Sequence, residues 1–277
     1  MYKRQGGIPF YLEAVRKGES VSQFIDRVCF EKDGILVDEY NVLFQSLFDD
    51  SDQHHKIVEL LAKKKEGFNR SEIIKKTRFS SGGGLTKVLG ELEESGFINA
   101  AVPYGKNKTK AYYKLTDNFS IFYLKYMGPR SQRSKPNWQR ISQSQSWKSW
   151  SGFAFERLCF AHIPQIKKAL KLEAMNCEVS HWSGSSGGRG AQIDMLIDRS
   201  DRIINLCEIK YANSSFTINK SYAKQLREKL AVFDMERKGQ KRSLFLTIIT
   251  TYGTLDNEYY KELVQSEVYL KDLFAPL

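Results

Sequence analysis

Two apolar stretches in the last third of the chain each carry charge where a buried strand would otherwise be wholly apolar. The first is Ala191-Gln192-Ile193-Asp194-Met195-Leu196-Ile197, with Asp194 set between Ile193 and Met195. The turn Asp198–Arg202 follows, and then Ile203-Ile204-Asn205-Leu206-Cys207-Glu208-Ile209-Lys210. Short apolar runs bounded by polar turn residues read as strands. The period of two places Glu208 and Lys210 on one face. Antiparallel pairing through the turn brings Asp194 beside Glu208. Carboxylates buried without a counter-charge are costly. A metal or Lys210 is therefore needed at this point to offset them.

Two carboxylates on neighbouring strands suit Mg²⁺ or Mn²⁺, hard cations that prefer oxygen ligands. Such a cation polarises a phosphodiester and activates a water. Lys210, on the same face, could orient that water, stabilise developing charge or move a proton. Gly152–Ala161 reads as an amphipathic helix in which Glu156 sits among apolar neighbours, able to add a third carboxylate. The predicted ligand set is Asp194, Glu208 and Glu156. After Lys210 a helix carries Lys224 and Gln225. The triplet E-x-K alone discriminates little, since Glu236-Arg237-Lys238 repeats it. The competing reading is an ordinary α/β domain with a satisfied Lys210–Glu208 or Lys210–Asp194 pair.

Charge separates the rest of the chain. The 277 residues carry a net +11, distributed as −3 over 1–50, +10 over 51–147 and +4 over 148–277. A polyanion would bind the middle. There, helices are expected near Gln53–Lys64, from an Asn69/Ser71 cap, and after Ser80-Ser81-Gly82-Gly83-Gly84, the last ending at Gly96. Two strands, 97–102 and 110–115, flank a basic turn. Three helices followed by a hairpin form a winged helix-turn-helix pattern. Lys87 on its third helix and Lys106, Lys108 and Lys110 on its wing are candidate phosphate contacts. Acidic Glu91, Glu93 and Glu94 on that helix argue against base readout. An aromatic helical segment, 118–127, precedes a polar stretch, 128–151, read as a linker. That stretch holds Arg130, Arg133, Lys135 and Arg140 with Trp138, Trp147 and Trp150, a mixture suited to nucleic-acid contact.

Several classes are set aside. Cys29, Cys159, Cys177 and Cys207 form no CxxC pair, which points to a reducing, cytoplasmic setting. The longest apolar runs fall short of a membrane span, and no secretory leader is read near the start. His54 and His55 are expected at a solvated helix start. No nucleophile elbow is read. Ser183–Gly190 reads as a flexible loop. The stripe Leu226, Leu230 and Phe233 reads as core, Leu244–Ile249 as a further buried strand and Tyr259–Leu270 as a closing helix.

Glu156, Asp194, Glu208 and Lys210, with Gln225 on the following helix, resemble the motif positions of the PD-(D/E)xK nuclease superfamily over about residues 150–250. Ile193 stands where a proline often precedes the motif aspartate. The resemblance implies a restriction-endonuclease-like α/β domain with a central mixed sheet, and Mg²⁺-dependent cleavage of DNA. Over nearly its whole length the chain also resembles the C-terminal portion of a family of archaeal and bacterial AAA+ type ATPases. Gly6-Gly7-Ile8-Pro9-Phe10-Tyr11-Leu12 looks like that family's helical lid motif, and Tyr113–Phe122 follows the family order.

The implied organisation is a lid-like remnant at 1–50, a winged helix at 51–127, a linker at 128–151 and a nuclease-like domain at 152–277. The class is α+β followed by α/β. ATP would enter only through a P-loop core that these residues do not contain, supplied in a longer protein or in trans. Three functions stay open: a metal-dependent DNA phosphodiesterase, a DNA- or protein-binding module without turnover, and a regulatory part of an ATPase. Assembly into oligomers is open as well.

Overall fold

The computed structural model describes residues 13–79, 82–106, 110–128, 138–186, 189–237 and 241–277. The Gly6–Leu12 motif, Lys108, Arg130, Arg133 and Lys135 lie outside the described residues. The fold is mixed α+β, with a two-stranded and a five-stranded sheet. The chain divides into two units. One takes in the described parts of Met1–Ala101 and Lys108–Ser149, the other those of Val102–Asn107 and Trp150–Leu277.

In the first unit, Ser20 caps α1 (Val21–Cys29) through a reciprocal capping box with Gln23. Next come α2 (Glu39–Leu47), α3 (Ser51–Leu61), α4 (Arg70–Thr77) and α5 (Gly83–Glu94). Asn69 and Glu72 form a second capping box at α4. Gly96, at φ +81°, supplies the left-handed residue after α5. Strands β1 (Ile98–Ala101) and β2 (Tyr112–Leu115) pair antiparallel. The aromatic segment is helical: α6 (Asn118–Phe122) runs into a π-helical turn at Tyr123–Met127.

One reading changes here. His54 is not solvated. It is buried, lies flat on Phe48 with ring centroids 3.8 Å apart, and its Nε2 meets Glu91 Oε2 at 3.0 Å. The aromatic stripe of α2 needs a cover, and α3 turns both histidines onto it; His55 stacks on Phe44 at 4.3 Å. The described part of 128–151, read as a linker, is helical, with α7 (Trp138–Ser142) and α8 (Gln145–Ala161). Its tryptophans explain this: Trp138 and Trp147 meet edge to face at 4.5 Å, and both approach Phe122.

In the second unit, α8 is followed by α9 (Ile163–Ala169), β3 (Cys177–Ser186), β4 (Arg189–Arg199) and β5 (Ile203–Lys210). Then come α10 (Lys220–Glu236), β6 (Ser243–Thr250), α11 (Glu258–Leu263) and β7 (Val264–Tyr269), with a 3-10 turn at Leu270–Phe274. The sheet order is β3-β4-β5-β6-β7. The first two pairings are antiparallel and the last two parallel.

Both faces are covered. Phe155 and Cys159 of α8 and Ile166 of α9 pack on Met195, Ile197, Cys207 and Ile209. Val232 and Phe233 of α10 pack on Ile193, Leu196, Ile204 and Leu206 of the other face. The near-continuous apolar runs of β5 and β6 follow from that double burial.

The expected 183–190 loop is mostly hairpin, since Ser183 pairs with Gln192 and Ser185 with Gly190. The expected closing helix stops at Leu263. Val264 onward pairs parallel with β6 because Val268, buried among Ile249 and Leu273, has to face the core.

Candidate functional site

Asp194 owes its position to an irregularity in β4. Ser180 pairs with Leu196 but Trp182 pairs with Ile193, so Asp194 and Met195 together lie opposite the single residue His181. Such a bulge re-aims a side chain. Ile193 and Leu196 thereby share the α10 face while Met195 packs on the α8 face. The half-buried Asp194 turns to β5, where its Oδ2 accepts the Ile209 N–H at 3.0 Å. The β4–β5 pairing ends at Met195 and Cys207, and one further step of that register sets Asp194 beside Glu208.

Glu208 lies on the α10 face, in step with Ile204 and Leu206. It is 2% exposed, yet three groups satisfy it. Lys229 Nζ donates to Oε1 at 2.6 Å, the Tyr222 hydroxyl donates to Oε2 at 3.0 Å, and Lys210 Nζ lies 3.5 Å from Oε2. Lys210 also sits over the Tyr222 ring, 5.3 Å from its centroid. Both ammonium groups keep a path to water, with side chains 30% exposed at Lys210 and 25% at Lys229. Burial, then the charges of Glu208 and Asp194, push the Tyr222 hydroxyl well above the ordinary tyrosine range, so it remains a donor.

Of the predicted residues, Asp194, Glu208 and Lys210 therefore meet at one end of β4 and β5. Glu156 stands on α8, across the sheet from α10. It is half-buried beside Phe155, and with Asp194 it raises the Cys159 thiol, after burial and Cys207. Among the described residues no three His, Cys, Asp or Glu side chains gather as a ready metal-ligand group. Strand alternation explains why Glu156 and Glu208 do not converge: α8 covers the face of Cys207 and Ile209, whereas Glu208 points the other way.

Gln225 is exposed on α10 and lines a cleft of about 210 Å³ with Gly190, Gln192, Glu228 and Lys229. The described candidate phosphate contacts, Lys87, Lys106, Lys110 and Arg140, are all exposed. Lys87 lies 3.8 Å from Glu91.

Tyr222 and Lys229 were not anticipated. Their signal was present but unread: Tyr222, Leu226, Lys229 and Phe233 recur at helical spacing, and a lysine inside an otherwise apolar stripe needs a buried partner.

No family model matches the chain. Over 224 residues it is 25% identical to a protein of Methanocaldococcus jannaschii described as uncharacterized, covering 76% of this chain and 47% of that protein. The chain thus spans about half the length of the curated relative it matches. Among the described residues no helix is long and apolar enough to cross a membrane.

Proposed function

We propose that the second unit is a divalent-cation-dependent phosphodiesterase acting on DNA, built as a PD-(D/E)xK nuclease-like domain behind a winged helix. We read the chain as the C-terminal portion of an AAA+ type ATPase. The observation that carries the activity is the meeting of Asp194, Glu208 and Lys210 at one end of two adjacent strands, with Glu208 nearly removed from water. Support for the fold reading comes from the mixed five-stranded sheet between helices, and from three helices preceding a hairpin.

The donor set fits Mg²⁺ or Mn²⁺. Carboxylates are hard oxygen donors, and Mg²⁺ commonly keeps several waters while bound through one or two of them. Asp194 and Glu208 would hold the cation. Bound there, such a cation would supply polarisation of the phosphate and a more acidic water. Lys210, half-open to solvent, faces the scissile phosphate and offsets charge that builds on its oxygens. Tyr222 fixes one oxygen of Glu208 as a neutral donor. Lys229 balances the Glu208 charge from the side of Oε1. Exposed Lys87, Lys106, Lys110 and Arg140 offer sequence-independent phosphate contacts. Lys108, Arg130, Arg133 and Lys135 belong to the same basic stretch of sequence.

A second reading has its own observation. Two ammonium groups already lie on Glu208, so that carboxylate is balanced without a metal. On that reading the unit binds DNA or a protein partner, such as an ATPase core, without turnover. Incubation of supercoiled, linear and single-stranded DNA with Mg²⁺ or Mn²⁺ separates the two. The phosphodiesterase cuts at least one form, and Asp194→Asn and Glu208→Gln abolish cutting while staying folded. If the wild type cuts none, the binding module is the correct reading.

A further inference from the structure

The loops leaving β5 and β6 are laced together directly beyond the site. Lys210 pairs with Thr250 at the strand ends. Just beyond, the Ala212 N–H donates to Thr251 Oγ1 at 3.0 Å, and the Thr251 hydroxyl donates back to the Ala212 carbonyl. The Gly253 N–H donates to Thr250 Oγ1 at 2.8 Å. Further out, the Phe216 N–H donates to the Gly253 carbonyl and the Leu255 N–H to the Phe216 carbonyl, each at 2.7 Å. Gly253, at φ +83°, lets the second loop turn back on itself. Two parallel strands thus end in a cross-linked backbone platform.

That platform carries two outward tyrosines. Tyr211 follows Lys210 directly and is 47% exposed; Tyr252 lies two residues past Thr250 and is 63% exposed. The Tyr211 ring rests edge-on to Phe155 at 6.2 Å, which steadies it without covering it. Among the described residues neither hydroxyl has a hydrogen-bond partner, so the rings are not there to satisfy the fold.

We infer that Tyr211 and Tyr252 form a base-stacking subsite for single-stranded DNA, set at the same strand ends that carry Lys210. The inference rests on the phosphodiester reading of the Lys210 centre and names its substrate class as unpaired rather than duplex DNA. Aromatic faces on fixed backbone, at strand ends that also carry an ammonium group able to attract phosphate, are the physical requirements for holding a single strand. A duplex keeps its base faces stacked on one another and offers none to the rings. The carboxyl ends of parallel strands in an open sheet are also where such folds bind ligands.

Fluorescence anisotropy of labelled oligo(dT) in EDTA tests this without depending on cleavage. Tyr211→Ala and Tyr252→Ala should each weaken oligo(dT) binding by about 5- to 100-fold, the range of one lost base–aromatic stack. Tyr211→Phe and Tyr252→Phe should retain wild-type affinity, and duplex DNA of the same length should bind all variants equally. Because both side chains face solvent, melting temperatures should not move. The inference is overturned if the wild type does not bind oligo(dT), if the alanine variants bind it normally, or if single strand and duplex weaken together. Tighter binding of oligo(U) than of oligo(dT) would likewise overturn the assignment to DNA. Tyrosine-dependent binding by a protein that cuts nothing would keep the subsite and remove the hydrolytic reading. Cleavage with tyrosine-independent binding would do the reverse.

Discussion

Lys229→Met isolates the ion pair under the site, because methionine keeps much of the lysine stem and deletes the charge. Glu208 is 2% exposed and loses a 2.6 Å contact. Removing one partner of a buried ion pair ordinarily costs about 3–5 kcal/mol. Here Tyr222 at 3.0 Å and Lys210 at 3.5 Å still hold Oε2, which places the cost nearer 2–3 kcal/mol. For a domain of this size that lowers the melting temperature by roughly 5–10 °C. Urea unfolding of wild type, Lys229→Met, Glu208→Gln and the double variant closes a thermodynamic cycle. The expected coupling is about 2 kcal/mol, with the double variant more stable than the sum of the singles implies. A loss below about 0.5 kcal/mol for Lys229→Met, or strict additivity, would refute the argument that Lys229 neutralises Glu208.

Other outcomes follow from particular contacts. Tyr222→Phe removes one hydrogen bond to a buried carboxylate and should cost about 1.5–3 kcal/mol in chemical unfolding. Gly67→Ala should destabilise the first unit by at least about 1–3 kcal/mol by thermal melting, since Gly67 sits at φ +79° and a Cβ there would strike the Tyr113 carbonyl oxygen. Stability should also fall in alkali. Burial pushes the Cys29 thiol from 9.0 up to about 12, raises the Cys159 and Cys207 thiols further, and lifts the Tyr222 hydroxyl. The unfolded chain then loses protons that the folded chain keeps. The stabilisation is complete below about pH 9 and is lost as pH rises, by about 1.4 kcal/mol per pH unit for each group. Urea midpoints that stay level from pH 8 to 11 would contradict this burial.

Strands with strong apolar runs were legible, and so were capped helices. Asp194, Glu208 and Lys210 announced themselves because charge inside an apolar run has few explanations. Ser20 and Asn69 marked helix starts through side chains able to take a backbone N–H. What escaped depended on tertiary partners. Strand β3 reads Cys-Glu-Val-Ser-His-Trp-Ser-Gly-Ser-Ser, with too few apolar residues to declare itself, and is held by β4. The segment after Leu263 has residues at both helical and alternating spacing, and only the free edge of β6 decides between them. The bulge at Asp194 cannot be read locally, because it is a mismatch between two strands. Lys229 waited on knowing which stripe of α10 meets the sheet.

The central claim is that the Asp194–Glu208–Lys210 centre breaks phosphodiester bonds. Single-turnover incubation of a 5′-labelled single-stranded oligonucleotide with Mg²⁺ measures it most directly, with wild type beside Lys210→Ala. The account predicts shortened product from the wild type and none above background from the variant, with protein in excess so that the DNA is saturated in both. Intact substrate in both lanes, or equal product from both, would contradict it.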